Sequence, residues 1–161
     1  MIKLNGLHLL LTYQCTHECD HCFVWGSPYQ SGVMNLEFIR EVYRQAEALG
    51  TIEWVYFEGG EPFLYYAVML RAIQEAAALG FKAGIVSNGY WAIGSEDAYV
   101  ALQPLAGLIQ DLSVSSDLFH WGEDMQRIHS NVVWAAERLG MPMGTISIDQ
   151  PVSMVVGIFS A

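Results

Sequence analysis

The chain has 161 residues, with 17 Asp and Glu against 7 Lys and Arg and a formal net charge of −10. This excess of negative charge disfavours any partner held mainly through phosphates or anionic lipid, nucleic acid included. Hydrophobic residues make up 53% of the chain, yet no uninterrupted apolar run approaches a membrane span and no signal peptide is read at the start, so a cytoplasmic protein is expected.

Residues 7–14 (Leu-His-Leu-Leu-Leu-Thr-Tyr-Gln) read as a buried strand. The strand runs into Cys15, Cys19 and Cys22, spaced C-x3-C-x2-C and the only cysteines present. An odd number of thiols suits neither a disulfide framework nor a four-thiolate site, and three thiolates leave one position of a metal or cluster open for chemistry. A zinc site would recruit His17 or His21 from within the same short loop, without the second ligand pair such sites draw from elsewhere. A simple electron carrier would want a fourth thiolate.

Asn35 is placed to cap a helix over 36–49, with Leu36, Ile39, Tyr43, Ala46 and Leu49 on one face and Gly50 as its stop. A second strand, 52–57, leads into Glu58-Gly59-Gly60-Glu61-Pro62. A helix follows to residue 79, with Leu70, Ile73 and Ala77 in phase, and Gly80 precedes a third strand over 81–87 that ends in Ser87-Asn88-Gly89. Ser95 is the expected cap of a third helix reaching Pro104, followed by a strand over 108–115 that ends in Ser113-Val114-Ser115-Ser116-Asp117. A fourth helix, 123–139, turns Ile128, Val132, Ala135 and Leu139 inward, and a fifth strand covers 144–148. This alternation implies an α/β fold: a parallel sheet with right-handed crossovers, curved into a partial TIM-type barrel with helices outside. Ligand-carrying loops in such folds follow the C-terminal ends of the strands, where the cysteines lie.

Cys15, Cys19 and Cys22 after a first strand, with Gly59-Gly60-Glu61-Pro62 after a second, resemble the two signature motifs of the radical S-adenosylmethionine (radical SAM) superfamily. The resemblance implies that the three thiolates hold a [4Fe-4S] cluster whose fourth iron is chelated by S-adenosylmethionine. Reductive cleavage of that cofactor would then give a 5'-deoxyadenosyl radical that abstracts hydrogen from an organic or peptide substrate. It also implies a reductant protein such as a flavodoxin or ferredoxin. Gly59 and Gly60 would let backbone approach the methionine moiety, and Glu61 would accept a hydrogen bond from its ammonium group. Ser87, Asn88, Ser115 and Asp117 become candidates for contacts to cofactor or substrate, beside the plain reading that such residues end strands and cap turns. His21 stands where the family commonly has an aromatic residue whose backbone meets the adenine.

His120 is a candidate proton donor or an ordinary loop histidine. Trp25, Tyr29, Trp54, Tyr56 and Trp91 are assigned no chemical role. Family cores usually contain six strand-helix units, and residues 1–161 offer four and a fifth strand. A single core domain lacking its C-terminal units is therefore expected, with an uncovered sheet edge open to homodimerisation. The competing function is a noncatalytic iron-sulfur or metal-binding module.

Overall fold

A computed structural model describes residues 3–116 and 125–148. Among the described residues five strands form one sheet in the order β1-β2-β3-β4-β5, every neighbouring pair parallel. They are β1 (Gly6–Thr12), β2 (Trp54–Gly59), β3 (Lys82–Ser87), β4 (Asp111–Ser115) and β5 (Met143–Ile146). The connections carry α1 (Leu36–Leu49), α2 (Tyr66–Ala78), α3 (Ser95–Leu102) and α4 (Met125–Leu139). The open, curved parallel sheet expected from the alternating pattern is the fold observed. No helix among the described residues is long and apolar enough to cross a membrane.

Strand periodicity divides the sheet into two faces. Leu9, Leu11, Val55, Phe57, Ala83, Ile85, Leu112 and Val114 are buried in one core with Ile39, Met69, Ile73, Leu102, Ile128 and Val132 from the helices. The alternate residues, among them His8, Tyr56, Glu58 and Asp111, occupy the open face.

Asn35 caps α1 by accepting from Phe38 N at 2.8 Å, and Gly50 closes the helix at φ 67° with its N–H on Ala46 O. Ile39, Tyr43 and Ala46 face inward as expected, but Leu49, the last residue of the helix, is 54% exposed. The helix after Pro62 departs further. Pro62–Tyr65 forms a 3-10 turn, and its three-residue period shifts the phase of α2, so Met69, Ala72, Ile73 and Ala76 are buried while Leu70 and Ala77 are only partly so.

Gly94, not Ser95, is the cap residue of α3. The Ser95 hydroxyl instead donates to Asn131 Oδ1 on α4 at 2.9 Å, which exchanges a local cap for a helix-to-helix bond. In α4, Ile128, Val132 and Ala135 are buried and Leu139 is half-buried. The register of β1 against β2 slips between Leu10 and Thr12, a bulge at the strand end where the cysteine loop begins.

Candidate active site

The cysteine loop leaves the sheet at Thr12 and is pinched shut by a small parallel bridge between Gln14 and Ser27. Cys15 N donates to Ser27 O at 3.0 Å and Ser27 N to Tyr13 O at 3.3 Å. Thr12, buried at the base, donates through its hydroxyl to Gly32 O at 2.6 Å and accepts from Gln14 N at 3.0 Å. Inside this collar Cys22 N donates to Cys19 O, and Gly26 N donates to Cys22 Sγ at 3.2 Å.

Gly59 and Gly60 pack directly on this collar. Gly60 N donates to Thr12 O at 2.7 Å and Glu61 N to Gln14 O at 2.8 Å. A Cβ on Gly59, whose φ is +126°, would meet Thr12 O at 2.4 Å, and one on Gly60 would meet Gln14 O at 2.1 Å. The missing side chains thus serve first to let β2 touch the backbone that carries the cysteines, and both glycines also line the cavity beside the thiols. Gly26 completes the contact: a Cβ there would stand 3.2 Å from Gly60 Cα. No spacing in the sequence singled out Gly26.

Glu61 is fully buried. Its Oε1 accepts from Phe63 N at 3.0 Å and its Oε2 from Asn88 N at 2.8 Å, while Ser87 Oγ lies 3.0 and 3.1 Å from the two oxygens. Burial pushes this carboxyl up to about 7, opposed by the N–H and O–H donors around it. Both oxygens therefore have partners within the protein, and the residue ties the end of β2 to the end of β3. Ser87 also accepts from Gly89 N at 3.1 Å and Trp91 Nε1 at 3.0 Å. Trp91 stacks on Phe63 with ring centroids 4.4 Å apart, a packing role.

Asn88 links this buried knot to the cysteine loop. Its Nδ2 lies 3.5 Å from Cys15 Sγ, 3.0 Å from Thr16 Oγ1 and 3.1 Å from His17 Nδ1. Burial pushes the Cys15 thiol up, and the His17 N–H and the Asn88 amide oppose it. Such donors favour a sulfur that is negatively charged, as a metal-bound thiolate is.

A cavity of ≈ 220 Å³ opens where these elements meet. Cys15, Cys19, Cys22, Gly59 and Gly60 line it, and so do His21, Ser87, Asn88 and Ser115. The structure thus gathers residues from four segments that the sequence singled out separately. Glu58, Val86, Ile146 and Ile148 also line it, and sequence reasoning gave them no place there. Asp117 and His120 lie outside the described residues. Trp25 and Tyr29 are each more than 80% exposed, and so is Phe23, which also lines the cavity. Among the described residues no three His, Cys, Asp or Glu side chains are placed to hold a single metal ion; the thiols line a space rather than meet at a point.

The model of the Radical SAM superfamily matches residues 9–115. YydG of Bacillus subtilis (strain 168), whose name assigns it to peptide biosynthesis, is 28% identical over 111 residues, covering 68% of this chain and 35% of that protein. The GTP 3',8-cyclase of Klebsiella pneumoniae subsp. pneumoniae is 31% identical over 94 residues, 55% of this chain and 28% of the enzyme. The chain thus spans about a third of the length of these relatives. Among solved structures, BtrN in complex with AdoMet and 2-DOIA superposes with a TM-score of 0.65 at 18% identity, covering 91% of this chain and 58% of BtrN.

Proposed function

This chain belongs to the radical SAM superfamily, and on that premise we propose that it binds a [4Fe-4S] cluster and S-adenosylmethionine to start radical chemistry on an organic or peptide substrate. The observation that carries the reading is the shared cavity of Cys15, Cys19 and Cys22 with Gly59 and Gly60. The donor set fits the group: three sulfurs, two of them within reach of N–H donors, suit a thiolate-held cluster. When bound, the cluster and S-adenosylmethionine supply reductive cleavage of the sulfonium and a 5'-deoxyadenosyl radical that takes a hydrogen atom from substrate.

The protein's part is positioning. Cys15, Cys19 and Cys22 would hold the cluster. The Gly59-Gly60 backbone fixes the cysteine loop against β2, and Glu61 with Ser87 and Asn88 keeps β2 and β3 in step beneath it. His21 and Ser115, which both line the cavity, are the candidates for contacts to adenosine or substrate. A small redox protein such as a flavodoxin or ferredoxin would deliver the electron.

Anaerobic reconstitution with iron and sulfide tests the reading. About four irons per chain, lost on replacing any one of the three cysteines by alanine, would support it. Zinc bound in place of iron and sulfide would overturn it.

A further inference from the structure

The open face of the sheet carries a set of side chains that cluster binding does not explain. Glu58, at the end of β2, lines the thiol cavity. Its Oε1 lies 2.8 Å from His8 Nδ1 on β1. The His8 ring stacks on Tyr56, centroids 5.1 Å apart and 11° from parallel. Gly84 permits the stack. A Cβ there would stand 2.4 Å from Tyr56 Cε1, so a glycine opposite Tyr56 in the register lets the phenol lie across β3 toward Asp111 on β4. Asp111 Oδ2 accepts in turn from Ser113 Oγ at 3.2 Å. Three strands thus supply a polar layer, with room made by Gly84 of β3, that reaches the cavity wall at Glu58.

Among the described residues lining that cavity Glu58 is the sole carboxylate, and no Lys or Arg stands among them. The Glu58 side chain is 15% exposed. His8 engages Oε1, and Oε2 has no hydrogen bond from the described residues. A part-buried carboxylate favours a cationic donor over a neutral one, since charge-assisted bonds are the stronger class. Phe23, Val24, Val86, Ile146 and Ile148 make the rest of that wall largely apolar.

We propose that Glu58, held by His8, is a substrate-binding residue of this cavity and that it recognises a protonated amine on a partly apolar body. The proposal rests on the reading of the cavity as the site of S-adenosylmethionine and substrate. S-adenosylmethionine itself brings an ammonium group, so the test separates the two sources.

The cluster-loaded full chain and its Glu58→Gln variant are compared by calorimetric titration, first with S-adenosylmethionine and then, in its presence, with Nα-acetyl-lysinamide, cyclohexylammonium and 1,4-diaminobutane. Each amine is paired with its N-acetylated derivative. Iron content and Tm of the variant matching the parent confirm that it has folded and loaded. The expected result is that at least one amine binds, that its acetylated form binds about tenfold or more weakly, and that Glu58→Gln lowers amine affinity by about tenfold while the Kd for S-adenosylmethionine stays within about twofold. His8→Ala weakens the same amine by a smaller factor. Equal binding of amines and acetylated forms, or binding of none beside intact S-adenosylmethionine affinity, overturns the proposal alone. A tenfold loss of S-adenosylmethionine affinity in Glu58→Gln also overturns it, assigning Glu58 to the cofactor's ammonium. Absence of S-adenosylmethionine binding in the parent protein overturns the underlying functional reading as well.

Discussion

Asn88 donates its backbone N–H to Glu61 Oε2 at 2.8 Å while its side-chain amide reaches Cys15 Sγ at 3.5 Å, so one residue joins a buried carboxylate to the first thiol of the loop. Replacing Asn88 by alanine keeps the backbone bond and removes the bonds to Cys15, Thr16 and His17. The expected cost is ~1–2 kcal/mol of stability, together with a lower cluster reduction potential, because a donor to a ligating sulfur favours the more negative, reduced cluster. Spectroscopic redox titration checks this. An unchanged potential at full iron content would mean that the amide does no more than pack the loop.

Glu61 makes stability depend on pH in a direction opposite to that of a salt-bridged carboxylate. Its carboxyl is raised from 4.5 to about 7 by burial, so between those values the folded state holds a proton that the unfolded chain has released. The contribution is fully present below about 4.5 and is lost as the pH rises through about 7, amounting to ~3 kcal/mol. Glu61→Gln abolishes this dependence. It also faces an amide N–H₂ toward one of the backbone N–H groups of Phe63 and Asn88, costing ~1–3 kcal/mol. In urea unfolding, the stability advantage of the parent over Glu61→Gln should shrink from pH 5 to pH 8; an advantage that widened would contradict the assignment.

Gly60→Ala tests the contact between β2 and the cysteine collar. The added Cβ would stand 2.1 Å from Gln14 O and 2.6 Å from Gln14 C, both backbone atoms that no rotamer change can clear. A loss of ~2–4 kcal/mol is expected, with iron incorporation falling with it because the loop must shift. The check is chemical denaturation beside iron analysis of the reconstituted variant. Gly80→Ala provides the contrast: its Cβ meets nothing within 4 Å, so only the strain of its positive φ remains, and cluster loading should stay intact.

Much of this arrangement was legible in the sequence where the determinants are local. The Asn35 cap and the Gly50 stop of α1 lie within a turn of the residues they serve, and both form as read. The phase of α2 was not legible, because the 3-10 turn at Pro62–Tyr65 resets the helical period before Tyr66. Ser95 failed as a cap because Asn131, 36 positions on, competes for its hydroxyl. The cysteines and the Gly59-Gly60 pair were picked out by their resemblance to two family motifs, and they line one cavity. What spacing could not convey was that the two glycines seat on Thr12 and Gln14, or that Glu61 is enclosed by Ser87 and Asn88. Those partners lie 26 to 48 positions apart and meet only when parallel strands bring their C-terminal ends together.

The central claim is that Cys15, Cys19 and Cys22 organise reductive cleavage of S-adenosylmethionine. Its most direct test is 5'-deoxyadenosine formation by the anaerobically reconstituted chain with S-adenosylmethionine and a strong reductant, run beside Cys19→Ala. The account predicts product from the parent and none above background from the variant. Absence of product from a parent chain carrying its full complement of iron and sulfide, or equal product from both proteins, would contradict it.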